Sequence, residues 1–155
     1  MTIKQAVKAA VFLAGFLFIL VTVTYIIRTN GGVKDRFTGF YAEKENTIDV
    51  IMAGSSPVYP YYSAPKLYGE QGIVSYPLST NNQRPKAIKY LFKEALKTQD
   101  PSLFIVELRM FTMPDEEWED TMVFTRGVTD NMKYSGNRIQ AINPLVSGKS
   151  ERYTY

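Results

Sequence analysis

Ala9 to Ile27, AAVFLAGFLFILVTVTYII, is a run of 19 residues without a charge, and sixteen of them are apolar. At 1.5 Å per helical residue the run is about 28 Å long, close to the roughly 30 Å hydrocarbon core of a bilayer. It is apolar all round, whereas a helix on a water-soluble core shows a single apolar stripe. Thr22 and Thr24 can return their hydroxyls to the preceding turn, and Tyr25 falls at an interfacial aromatic position. The pattern predicts a transmembrane anchor over residues 1–28. A cleaved signal peptide is the nearest rival, but the run exceeds the usual apolar region and no A-x-A-like site follows Ile27. Asn30-Gly31-Gly32 reads as a flexible exit, and 29–46 as a juxtamembrane linker.

Beyond residue 46 the pattern changes. Three short apolar runs without alternation, 48–53, 73–78 and 103–108, fit strands buried on both faces of a parallel sheet. Between the last two, Ile88, Leu91, Phe92, Ala95 and Leu96 recur at helical spacing and predict a helix over 84–97, with Pro85 in its first turn. Lys86, Lys89, Lys93 and Lys97 share the other side, a solvated face or, less readily, a contact for anionic headgroups. Pro60 and Pro65 limit any helix in the Tyr-rich stretch to about 64–71. A further helix is expected over 130–142, opened by Thr129 or Asp130 and stopped by Pro144. Strands alternating with helices give an α/β layered fold with right-handed crossovers over residues 47–155.

The chain has 155 residues, about one domain, and 45% apolar residues exclude global disorder. Eighteen Lys and Arg against 15 Asp and Glu give +3. Lys4 and Lys8 precede the apolar run, so the remainder carries only +1 (16 against 15), no footprint for nucleic acid. Lys4, Lys8 and the amino terminus balance Arg28, Lys34 and Arg36, so charge leaves the membrane orientation open. There is no Cys and no His. Disulfides, thiolate zinc sites, imidazole ligands and a Ser-His pair supplied by this chain alone are excluded. No cofactor or metal is expected.

In an open parallel sheet, ligands bind beyond the carboxyl ends of the strands. Three such ends are available: Gly54-Ser55-Ser56, Ser79-Thr80-Asn81-Asn82 and Glu107-Leu108-Arg109. A small-residue turn after a strand presents a hydroxyl beside backbone N–H groups, as a nucleophile and an oxyanion hole require. Taken together, IDVIMAGSSP (48–57), VSYPLSTNNQ (74–83) and PSLFIVELRMF (101–111) resemble the membrane-anchored branch of the SGNH/GDSL hydrolase superfamily. More distantly, the chain is similar to extracytoplasmic acyl-transfer proteins such as the D-alanyl-lipoteichoic acid transfer family. The resemblance covers about 37–145, nearly all of the chain beyond the anchor.

That resemblance implies a partial flavodoxin-like, three-layer parallel-sheet domain, truncated at its carboxyl end, since three of about five strands are found. It places the nucleophile on Ser56, an oxyanion-binding backbone N–H on Ser79, and oxyanion or substrate contacts on Asn81 and Asn82. It implies an extracytoplasmic acyl-ester hydrolase or O-acyltransferase acting on a surface glycan or lipid, with the bilayer held through Ala9 to Ile27. The chain departs from the family pattern at Pro57, where many relatives have His, and at Ser79, where Gly is usual. No Asp-x-x-His block precedes Tyr155, so base and orienter are expected beyond it, and the 155 residues alone are expected to be inactive. Glu107 and Asp49 are the acids to consider as a substitute base. A membrane-tethered binding domain that keeps the fold without catalysis is the alternative.

Three other features carry less. Ser147-Gly148-Lys149-Ser150 lacks the Gly at 143 and the preceding strand that a phosphate-binding loop needs. The acidic run Asp115–Asp120 suits the first turn of a helix better than a metal site. Tyr59, Tyr61, Tyr62 and Tyr68 pack under loops more readily than they build a sugar-stacking wall.

Overall fold

The computed structural model describes residues 2–27, 31–112 and 122–146. The chain divides after Asn30 into two compact units. The run at 147–150 and the acidic run at 115–120 lie outside the described residues.

The first unit is α1 (Ile3–Ile27). It opens on a reciprocal cap: the Thr2 N–H donates to Gln5 Oε1 at 2.9 Å while the Gln5 N–H donates to Thr2 Oγ1 at 3.4 Å. Thr22 donates its hydroxyl to the Phe18 carbonyl at 2.8 Å, so it adds no unsatisfied group to the apolar surface. No part of its apolar window is buried, and among the described residues it is the one helix long and apolar enough to cross a membrane. Signal sequences share that length and composition.

The second unit is a mixed α/β fold around a three-stranded parallel sheet. Its elements in order are α2 (Gly32–Ala42), β1 (Val50–Ala53), α3 (Val58–Tyr61), α4 (Ala64–Gln71), β2 (Ser75–Pro77), α5 (Pro85–Ala95), β3 (Leu103–Val106), a short 3-10 turn (Arg109–Phe111), α6 (Met122–Thr129) and α7 (Gly136–Leu145). The strand order is β2-β1-β3, with Ile51 opposite Tyr76 on one side and Phe104 on the other. β1 therefore lies inside the sheet and β3 at an edge, where Leu103 is half exposed.

Ile51 enters a core with Phe37 and Phe40 of α2, Leu91 and Ala95 of α5, and Ala141 and Leu145 of α7. Ala53, two residues on and so on the same face, packs with Ile88 and Met110. Lys86, Lys89 and Lys93 are exposed on α5, whereas Lys97, past the end of that helix, turns its ammonium to Glu94 and Ser135. Leu96, counted among the apolar positions of that helix, is exposed, because α5 ends at Ala95.

Three elements differ from expectation. Residues 32–42 form a helix with two core phenylalanines, where a linker was expected through 46. Val33, Phe37, Phe40 and Tyr41 have the i, i+4, i+7, i+8 spacing of a buried stripe, masked by Gly31-Gly32 and Gly39. The helix expected over 130–142 runs over 136–145, because Asp130 is taken by Arg138 at 3.0 Å and Ser135 caps the helix, accepting from the Arg138 N–H at 3.4 Å. Pro144 lies inside that helix, one residue before its end. Pro60 likewise sits inside α3, in the first turn, where no N–H is needed.

One buried polar cluster ties three helices together. Glu94 on α5 is 1% exposed. Its carboxylate accepts from Tyr41 Oη of α2 and Asn137 Nδ2 of α7, each at 2.9 Å, and pairs with Lys97. Burial pushes the Tyr41 hydroxyl well above the usual range; the Lys133 N–H that it accepts works against that rise, and the Glu94 charge adds to it.

Candidate site at the carboxyl edge of the sheet

Because the strands are parallel, their carboxyl ends meet on one edge. The Thr80 N–H donates to the Gly54 carbonyl at 3.3 Å, joining the turn after β1 to the turn after β2. The Ser55 N–H donates to Glu107 Oε2 at 3.2 Å, joining it to the end of β3. Glu107 also accepts the Arg109 N–H at 2.6 Å, so its carboxylate braces two backbones. Asp49 lies at the other end of β1, bound to the Val74 N–H at 2.8 Å, and is out of reach of this edge.

Gly54 is where the chain passes closest to its neighbours. A Cβ there would meet Val58 Cγ2 at 2.5 Å and Glu107 Cβ at 2.6 Å. Ser55 is buried and Ser56 exposed. The Ser55 and Ser56 carbonyls accept from the Val58 and Tyr59 N–H groups at 3.1 and 3.2 Å, turning the chain straight into α3.

On the second turn, Ser79 is fully buried and Asn81 and Asn82 are exposed. Asn82 adopts φ 43°, a left-handed conformation that Asn tolerates. Gln83 Oε1 holds the turn from within, accepting from the Thr80 N–H at 3.1 Å. The N–H groups of Ser56 and Ser79 donate to no acceptor among the described residues. The arrangement therefore offers an exposed hydroxyl and two uncommitted N–H groups on adjoining turns.

Arg36, absent from the sequence-level candidates, reaches this edge from α2. Its Nε donates to the Ser79 carbonyl at 3.2 Å, and its guanidinium carbon lies 3.7 Å from the centre of the Tyr59 ring. The Tyr59 and Ser79 hydroxyls are both buried, and neither closes a hydrogen bond of good geometry. Burial raises the Tyr59 pKa; the Arg36 charge and the nearness of the Ser79 hydroxyl offset part of that rise. Tyr61 and Tyr68 of the expected aromatic cluster point to solvent, while Tyr59 and Tyr62 are half buried. The spacing of apolar residues in 33–41 was the one signal that could have led to Arg36.

No group of three or more Asp or Glu that could hold a metal occurs among the described residues. Comparison with protein-family models, with curated proteins and with solved structures finds no match.

Proposed function

We propose that the second unit is an SGNH-like acyl-ester hydrolase or O-acyltransferase, anchored by α1 and facing out of the cytoplasm, that acts on a cell-surface glycan or lipid. The observation that carries this reading is the pair of uncommitted N–H groups, Ser56 and Ser79, on adjoining turns beside the exposed Ser56 hydroxyl. The β2-β1-β3 order, which is how a flavodoxin-like sheet begins, also supports it.

In this mechanism Ser56 Oγ attacks the acyl carbonyl and gives up its proton to a base. The carbonyl oxygen, now negative, accepts from the Ser56 and Ser79 N–H groups. Collapse expels the alcohol with a proton returned by the base, leaving the acyl group on Ser56. Water or an acceptor hydroxyl then takes it. Asn81 and Asn82 offer amide donors beside the acyl oxygen. The chain contains no His, so the base is an imidazole from outside these 155 residues.

The test uses membranes of cells that make the protein, where any completing partner is present. A fluorophosphonate reagent is expected to modify Ser56, found by mass spectrometry and lost in Ser56→Ala. Labelling of other serine hydrolases in the same membranes with none at Ser56 would sink the nucleophile assignment. The absence of His favours the second reading, a tethered binding domain of the same fold, and that outcome would select it.

A further inference from the structure

Arg36 is a cation without an anion. It pairs with no carboxylate among the described residues, and its guanidinium makes one hydrogen bond of good geometry, from Nε to the Ser79 carbonyl. The donors on its two terminal nitrogens are unspent. One of them passes close to Gly32, where an added Cβ would lie 3.3 Å from Nη1. The guanidinium is held in place by the Tyr59 ring on one face and the Ser79 carbonyl at its edge. Fixing a long side chain in this way lowers the entropy lost on binding.

Two further donors stand beside it. The Ser79 hydroxyl belongs to a side chain that is fully buried, and the Tyr59 hydroxyl is closed from solvent; the two lie near each other, and neither closes a hydrogen bond of good geometry. A buried hydroxyl left unpaired costs about 1–3 kcal/mol, so two of them beside a fixed guanidinium need an explanation. All three groups can donate, and an ionised oxygen accepts from each. Arg36 presents a planar fork suited to two oxygens of one group.

We propose that Arg36, Tyr59 and Ser79 form a recognition site for an oxyanion, such as a carboxylate or phosphate ester, on the molecule that reaches the turn at Ser56. Tyr59 follows Ser56 by three residues and donates its N–H to the Ser56 carbonyl at 3.2 Å, so an anion here lies beside that turn. The proposal does not depend on Ser56 being a nucleophile.

The experiment is nitrogen and aromatic NMR on the full chain in detergent micelles, titrated separately with inorganic phosphate and acetate at constant ionic strength held with chloride. At least one anion is expected to shift the Arg36 Nε and Tyr59 ring signals together and to saturate. Tyr59→Phe keeps the ring under the guanidinium and removes only the hydroxyl. It should weaken binding about tenfold, the scale of one hydrogen bond to a charged group. Arg36→Lys, which keeps the charge and loses the fork, should weaken it at least as much. A linear, unsaturated response to both anions, or saturation unaltered in Tyr59→Phe and Arg36→Lys, overturns the proposal. Ester hydrolysis is not the readout, so failure here leaves the acyl-transfer reading standing, and the reverse also holds.

Discussion

Gly54→Ala adds one methyl group at the closest approach in the candidate site. The new Cβ would stand 2.5 Å from Val58 Cγ2 and 2.6 Å from Glu107 Cβ, separations that carbon atoms do not hold. Val58 is 1% exposed and has no free space to turn into. Glu107 Cβ is fixed to a backbone that donates its N–H to the Ala53 carbonyl at 2.9 Å. Overpacking of this kind costs about 1–3 kcal/mol, and the rigidity of both neighbours places it in the upper half of that range. Gly54 is not among the positive-φ residues. Alanine therefore also gains about 0.4–1 kcal/mol by restricting the unfolded chain. The net loss is about 1–2.6 kcal/mol. For a unit of 125 residues (31–155) that is a fall of about 3–13 °C in Tm.

Gly69→Ala supplies the opposite sign. It lies in α4 with nothing within 4 Å of its added Cβ, so only the helix-propensity gain of about 1 kcal/mol remains. Thermal unfolding followed by circular dichroism in detergent, with both variants beside the parent, is the assay. Gly54→Ala melting at or above the parent would refute the packing at the first turn, and with it the joining of the β1 and β3 ends.

Tyr41→Phe leaves Glu94 Oε1 and the Lys133 N–H each without a partner, so urea unfolding should show a loss of about 1–3 kcal/mol. Tyr41, Tyr59 and Tyr76 all titrate above the ordinary tyrosine value of 10, each chiefly because burial disfavours the phenolate. The unfolded chain therefore loses these protons first. Their contribution is complete below pH 10 and disappears as pH rises from there through the folded values, so stability should fall on that alkaline side. Absorbance titration should show these three ionising above the ordinary tyrosine value, and Tyr76→Phe should remove one of them. An alkaline-phosphatase reporter fused after Tyr155 is expected to be active, and activity only of a cytoplasmic reporter there would reverse the proposed orientation.

The parts of this fold legible in the sequence are those whose signal is local. The 64–71 helix is present at those residues, because its limits were set by prolines and its stripe is short. The strand cores at 50–53, 75–77 and 103–106 fall inside the expected apolar runs. α5 was legible as a helix, but not in its most consequential residue. Glu94 is a charge in the buried face, tolerable because Lys97 pairs with it and because Tyr41 and Asn137, each more than forty residues away, supply further donors. Residue spacing along one helix carries no information about partners on two others. α2 failed for a different reason. Its apolar stripe was present, but Gly31-Gly32 at its start and Gly39 within it argued for a linker, and a Cβ at Gly39 would meet Tyr76 Oη at 2.6 Å. Missing α2 meant missing Arg36, since the first serine turn gives no hint that a guanidinium arrives from upstream.

Buried polar groups at the two ends of the sheet are answered to different extents. At the amino end, Gln99 is 2% exposed, and its carbonyl oxygen accepts from the Thr47 and Ile48 N–H groups while its amide donates to the Lys44 carbonyl. Asp49 answers the Val74 N–H in the same region. Those groups are spent on holding strand starts, and replacing them would cost stability and nothing else. At the carboxyl end, the hydroxyls of Tyr59, Tyr62 and Ser79 and the Gln83 amide nitrogen are buried without a hydrogen bond of good geometry, and toward the amino end so are the Ser75 and Thr98 hydroxyls. Local rules are broken in natural proteins mainly where function requires it. Four such groups at the carboxyl end, against two toward the amino end, make the carboxyl edge the better candidate for the place where the chain meets something other than itself.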